Sequence, residues 1–153
     1  MQVGIIGLCD DGAPIVRRLL AAGHRCVVFD TSQRLVAELG AECAFGAASL
    51  RDLANELDAP RAIVLTGPAS SFDITIGELL PFLEPEDIIV VRGTEGRRDS
   101  GRCERLAAAG VHYVDIDIGG DQTAMRSLEP VLALIAPSAA AASSGTVRGL
   151  PRE

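Results

Sequence analysis

Short apolar runs alternate along this chain with stretches in which apolar residues recur every three or four positions. QVGIIGL, at 2–8, is an apolar run closed by a glycine and predicts a buried parallel strand. In APIVRRLLAAG, at 13–23, Ile15, Val16, Leu19 and Leu20 fall at helical spacing and Gly23 supplies the stop. RCVVFD, at 25–30, is a second apolar run that ends in an acid. The stretch from Gly7 to Asp30 therefore forms a βαβ unit of roughly the usual 30-residue length.

The alternation continues to the end of the patterned region. Helices are predicted over 32–40, with Ser32 as N-cap and Gly40 as stop, and over 49–57, where Ser49 and Asp52 have capping-box spacing. Further helices are predicted over 70–83, over 97–110 with an arginine-rich solvated face, and over 121–137. Pro130 in the last of these removes a backbone donor and predicts a kink. Strands are predicted over 42–45, 61–67, 87–93 and 111–116. Strands that alternate with helices give an α/β fold, and right-handed crossovers make it a Rossmann-like, doubly wound, mostly parallel sheet flanked by helices. The patterned domain covers 1–137. The tail, 138–153, is small, polar and unpatterned, and is expected to be loose.

Composition narrows the function classes. The 153 residues suffice for one domain with its own core. Aromatics are only 3%, so that core is aliphatic and alanine-rich. A formal charge of −7 argues against nucleic acid or an anionic membrane as partner. All 14 basic residues are arginine, so no lysine can serve as a Schiff-base former or general base. The cysteines Cys9, Cys26, Cys43 and Cys103 show no metal-ligand spacing, and read as reduced thiols in a cytoplasmic protein, with Cys26 and Cys43 filling core. The short apolar start runs straight into a loop, unlike a signal peptide, and no apolar run has membrane length.

The candidate chemistry lies in the loop after the first strand, GLCDDG at 7–12. A dinucleotide loop uses one glycine for the tight turn, one for backbone approach to the pyrophosphate and one for helix–strand packing. Gly7 and Gly12 fit the first and third roles, with Leu8 between them, and Cys9 takes the second. Asp10 and Asp11 bring negative charge where a phosphate would sit, although acids there also suit a self-capped helix with no ligand. Asp30, about 20 residues on, is placed to accept from an adenosine ribose and to repel a 2′-phosphate, favouring NAD over NADP, and Thr31 follows it. Arg34 is near enough to soften that preference. Gly67 and Pro68 in LTGPAS, and Thr94 in RGTEG, follow strand ends where open α/β sheets place ligands, but such residues are also ordinary turn formers. His24 and His112 make no triad, so no catalytic residue is assigned. A metal site from Asp10, Asp11 and Glu95 stands as a minor alternative of different chemistry.

The stretches MQVGIIGL…APIVRRLLAAGHRCVVFD, LEPEDIIVVRG, AAAGVHYVD and IGGDQTAMRSLEPVLALIAP, in this order, resemble the N-terminal cofactor domain of the decarboxylating 6-phosphogluconate dehydrogenases. The resemblance runs from Met1 to about Pro137. It implies a nicotinamide dinucleotide site, with catalytic lysine, much of the substrate site and dimer interface supplied by a following helical domain. The departures fall on the site. Cys9 stands where the family has a glycine, Asp10 and Asp11 replace a basic or polar residue and a methionine, and Thr94 aligns with an asparagine that serves cofactor and substrate. HYVD, at 112–115, is followed almost at once by IGGD, at 118–121, so the family's serine-bearing substrate loop is absent on this alignment. Two functions follow as expectations. One is an NAD(P)-binding domain, not competent for catalysis alone, with NAD binding weak or absent and NADP less favoured. The other is a non-catalytic Rossmann relative used for assembly or regulation, with no cofactor. A homodimer or an enzyme subunit is the expected partner, through apolar faces near 111–118 and 128–135.

Overall fold

A computed structural model of the chain describes residues 1–8, 12–42, 44–66, 69–92, 100–116, 119–120 and 122–135. The elements follow the alternation of the sequence. Strand β1 (Gln2–Ile6) leads through α1 (Gly12–Ala21) to β2 (Arg25–Phe29), then α2 (Gln33–Ala41) and the short β3 (Phe45–Gly46). Helix α3 (Leu50–Glu56) crosses to β4 (Ala62–Leu65). A turn of 3-10 helix (Ala69–Ser71) opens α4 (Phe72–Leu79), and another (Leu80–Phe82) closes it. After β5 (Ile88–Val91) come α5 (Ser100–Ala108), β6 (His112–Asp115), β7 (Gly119–Gly120), α6 (Gln122–Ser127) and α7 (Glu129–Ile135).

The strands lie in the order β3-β2-β1-β4-β5-β6-β7. All pairs are parallel except β6 with β7, which is antiparallel. This is the Rossmann-like arrangement expected from the sequence. Because each central strand is buried on both faces, its residues divide between two cores. Val3, Ile5, Val28 and Val64 pack with Ile15, Val16 and Leu19 of α1 and Val131 and Ile135 of α7. Ile63, Leu65, Ile89 and Val91 pack on the opposite face with Leu53 of α3, Phe72 and Ile76 of α4 and Leu106 of α5.

Local signals are realised with some differences. Gly23 has φ +89° and stops α1 as expected. Gly40 does not stop α2, which continues to Ala41. Ser49 caps α3 by accepting the Asp52 N–H at 3.0 Å, but the Asp52 carboxylate reaches back to the N–H of Ala48, at 2.9 Å, rather than to that of Ser49. The single kinked helix expected over 121–137 is two helices. Proline cannot accept a place four residues into a helix, where its ring meets the carbonyl of residue 126, but it suits a first turn. The chain therefore breaks at Leu128 and restarts. The Leu128 carbonyl accepts from Val131 and Leu132, at 2.8 and 2.9 Å, and Pro130 falls in the first turn of α7.

Several expectations lie on residues outside the described set, namely the conformation of Cys9, Asp10 and Asp11, the burial of Cys43, and the tail at 138–153. The apolar faces expected to serve as a dimer surface lie largely within the chain's own cores where they can be seen. Val114, Ile116, Leu128, Val131 and Ile135 are buried in the core where α7 folds back onto α1, and Val111 in the core on the opposite face, while Leu132 and Leu134 are partly buried. Among the described residues no helix is long and apolar enough to cross a membrane.

Candidate functional site

The carboxyl ends of β1, β2 and β4 meet because β1 lies between the other two. Three hydrogen bonds, two of them between backbone groups, knit the meeting point. Gly7 donates its N–H to Phe29 at 3.0 Å, Thr66 donates its N–H to Ile6 at 3.0 Å, and the Thr66 hydroxyl donates to the Gly7 carbonyl at 2.6 Å. Gly7 has φ +95°, and a Cβ there would stand 2.6 Å from the Thr66 carbonyl oxygen. Gly12 opens α1 directly over this turn, and a Cβ on it would collide with the Gly7 carbonyl oxygen. The two glycines thus occupy a tight turn and a helix–strand contact, and each is required by packing within the chain.

Asp30 holds the next loop to this one. One carboxylate oxygen accepts the Leu8 N–H at 2.7 Å and the other accepts the Ser32 N–H at 2.7 Å. The side chain of Leu8 is buried in the core, so Leu8 offers the site its backbone alone. A carboxylate has about four lone-pair positions, so Asp30 retains acceptor capacity towards the cleft beside it. Arg34, a candidate modifier of that acid, instead pairs with Glu38 one turn along α2, at 2.6 Å.

The cleft itself has a volume of about 320 Å³. Ile6, Gly7, Phe29, Leu50, Leu65 and Phe72 give it apolar walls, and Asp30, Thr31, Thr66, Ser71, Thr75 and Glu78 give it polar positions. Among the described residues, its polar side chains are four hydroxyls and two carboxylates, with no histidine, cysteine or arginine. Such a site can bind a flat, apolar-faced group carrying a hydroxylated ring, and offers acceptors for those hydroxyls. At about 320 Å³ it lies at the low end of the usual 300–1,000 Å³ range for ligand pockets.

Of the residues singled out in the sequence, Gly7, Leu8, Gly12, Asp30 and Thr31 come together here, while Gly67, Pro68 and Thr94 lie outside the described residues. Thr66 and the α4 wall were missed. A signal for the wall was present, since Ser71, Phe72, Thr75 and Glu78 recur at helical spacing directly after a strand end. Asp10, Asp11 and Glu95, the metal alternative, are outside the described set, and among the described residues no group of three or more metal-ligating side chains exists. His112 has a partner that the sequence hid, with Nε2 3.0 Å from the Glu86 carboxylate, at the amino end of the sheet and away from the cleft.

The arginine-rich face of α5 is not uniformly solvated, as the sequence had suggested. Arg102 is buried, with 6% of its side chain exposed. It donates to Asp73 at 2.8 Å and to the Tyr113 hydroxyl at 3.2 Å, and its guanidinium lies over the Phe72 ring. These bonds raise the Arg102 pKa, Asp73 being the larger cause, while burial pushes the Tyr113 phenol up.

Residues 2–143 match the family model described as the NAD binding domain of 6-phosphogluconate dehydrogenase. The NAD(+)-dependent, decarboxylating 6-phosphogluconate dehydrogenase of Haloferax volcanii is 34% identical over 152 residues, which take in 89% of this chain and 50% of that protein. The NADP(+)-dependent enzyme of Bacillus subtilis is 29% identical over 132 residues, 82% of this chain and 28% of that one. The chain thus spans half or less of the length of these relatives. An imine reductase from Myxococcus stipitatus, solved with NADP+, shares the fold with TM-score 0.75 at 16% identity, over 89% of this chain and 53% of that one.

Proposed function

The chain belongs to the family of 6-phosphogluconate dehydrogenase NAD binding domains, and on that premise we propose that its cleft takes the adenosine half of a nicotinamide dinucleotide, NAD in preference to NADP. The observation that carries the reading is Asp30, whose carboxylate lines the cleft at the tip of β2 while its backbone bonds hold it in one orientation. Ribose hydroxyls donate to such a carboxylate, and a 2′-phosphate is repelled by it. The apolar side chains of Phe29 and Leu50, both partly exposed, suit the faces of a base.

A bound nicotinamide dinucleotide supplies the hydride donor or acceptor of this family's chemistry; the residues of this chain bind and orient its adenosine end. Affinity is expected to be low, because Cys9, Asp10 and Asp11 put a side chain and negative charge where the relatives' loop meets pyrophosphate. The chain on its own is read as catalytically silent. It carries no lysine, and the stretch between HYVD and IGGD is too short for a substrate loop. Hydride transfer requires a substrate held at near-attack distance, and that part of the site has to come from a partner subunit or further chain.

The acidic loop also favours a second reading, a domain of this family that binds no cofactor and serves assembly or regulation as a homodimer or enzyme subunit. Calorimetric titration with NAD, NADH, NADP and NADPH separates the two. Binding of NAD(H) above NADP(H) supports the first. Flat titrations with all four sink it and leave the second, which then requires a defined oligomer. Changing Cys9 to Gly, Asp10 to Arg and Asp11 to Met rebuilds the loop of the relatives, and is expected to improve NAD affinity by at least about 1–2 kcal/mol.

A further inference from the structure

Phe72 belongs to two environments at once. It is one of the residues lining the cleft, although only 1% of it is exposed and its ring sits in the core behind that wall, and the guanidinium of Arg102 lies over the ring, 5.6 Å from the centroid. Arg102 itself does not line the cleft. It is fixed from two sides, by Asp73 at 2.8 Å on α4 and by the Tyr113 hydroxyl at 3.2 Å on β6. One turn further along α5, Arg105 reaches the same residue from the solvent side, with Nη2 3.4 Å from the Asp73 carbonyl oxygen.

The arrangement joins elements that are distant in the chain. Helix α4 and the 3-10 turn that opens it supply one wall of the cleft through Ser71, Phe72, Thr75 and Glu78. Asp73, next to Phe72 and turned to α5, is where that wall is anchored. A planar guanidinium that stacks on a ring and also donates to a carboxylate and a phenol restricts the ring in position and tilt. A lysine could neither stack in this way nor donate in two fixed directions.

We propose that Arg102 is a positioning residue for the cleft: through Phe72 and Asp73 it sets the wall against which the base of an adenine nucleotide packs. This rests on the reading of the cleft as an adenosine site and names a determinant of its affinity. The direction of the effect follows from pre-organisation. A wall whose supporting ring is already held in place loses less freedom when a flat ligand packs on it.

The test is the affinity of the folded chain for ADP-ribose and for NADH, measured by calorimetry in wild type and in Arg102→Met, Phe72→Leu and the double variant. Arg102→Met is expected to weaken both ligands about tenfold. In the Phe72→Leu background the same change is expected to cost less than about threefold, because its route to the ligand is gone. Arg105→Met, which touches Asp73 but not the ring, is expected to leave both affinities unchanged. If Arg102→Met does not fold, Arg102→Lys and Tyr113→Phe carry the same comparison. A role limited to stability lowers the melting temperature and leaves the dissociation constants alone, and that outcome overturns the proposal. So does equal loss with and without Phe72. Wild-type chain that binds neither ADP-ribose nor NADH defeats the adenosine reading itself, and this proposal with it.

Discussion

Asp30 accepts the backbone N–H of Leu8 at 2.7 Å, so the tip of the second strand holds the loop that leaves the first. The same carboxylate holds Ser32. Asp30→Ala leaves both amides without their acceptor, and is expected to lower the unfolding free energy by about 1.5–3 kcal/mol, read by urea denaturation. The change also removes the charge that opposes a 2′-phosphate. The preference for NAD over NADP should therefore narrow in the folded variant. An unchanged ratio of the two affinities would show that Asp30 does not face the ribose.

Gly7 is the least replaceable residue of the turn. Gly7→Ala forces a side chain into φ +95° and sets its Cβ 2.6 Å from the Thr66 carbonyl oxygen. Left-handed backbone costs about 1–2 kcal/mol for alanine, and relieving the contact adds more, so a loss of about 2–4 kcal/mol is expected. Thr66→Val isolates one part of the same junction, the 2.6 Å bond to the Gly7 carbonyl, at about 1–2 kcal/mol. Denaturation curves with equal slopes for the three proteins would make these numbers comparable. A valine variant as costly as the alanine one would contradict the assignment of strain to Gly7.

Asp87 is fully buried just before β5, and it accepts from the Arg61 backbone at 2.7 Å, the Arg61 guanidinium at 2.9 Å and the Glu84 backbone at 2.8 Å. Removing it leaves the largely buried Arg61 guanidinium with only the exposed Glu84 carboxylate, at 3.6 Å, as counter-charge. Asp87→Ala is expected to cost about 3–5 kcal/mol. The site is at the amino end of the sheet, opposite the cleft, so any nucleotide affinity should survive wherever the variant is still folded. A loss of affinity without a loss of stability would be the contrary result.

Cys26 packs against α1 in the core, and burial pushes its thiol from the ordinary 9.0 up to about 11. The folded chain therefore keeps a proton that the unfolded chain releases. This contribution to stability is complete below pH 9 and is lost as pH rises from 9 to 11. The stability difference between wild type and Cys26→Ala should shrink across that window. A constant difference from pH 8 to pH 11, in chemical denaturation at each pH, would contradict it.

Much of this molecule can be read from local pattern. Strand runs such as 25–30 and 61–67 are apolar because both faces of a central parallel strand are covered, and that property is visible in any short window. Gly23 and Ser49 act at helix ends through backbone geometry a few residues wide, so their roles are local too. Asp30 was legible as a candidate, and stands in the lining of the cleft, because a strand end followed by an acid is itself a short pattern. The break at Leu128 was only half legible. Pro130 announces a disturbance, but where the helix restarts depends on Val131 and Ile135 finding the core against α1.

The sequence by itself determined the succession of strands and helices, the glycine turn, and the acid after β2, since each depends on neighbours a few residues apart. Only the tertiary structure decided which distant residues share the cleft. Gly7 and Thr66 are 59 positions apart and touch because β4 pairs with β1, a choice of strand order made by the burial of both sheet faces and not by any local run. Arg102 carries the same lesson. Its charge suggests solvent, and its place over the Phe72 ring exists because Asp73 and Tyr113, on two other elements, supply the hydrogen bonds that let a guanidinium be buried.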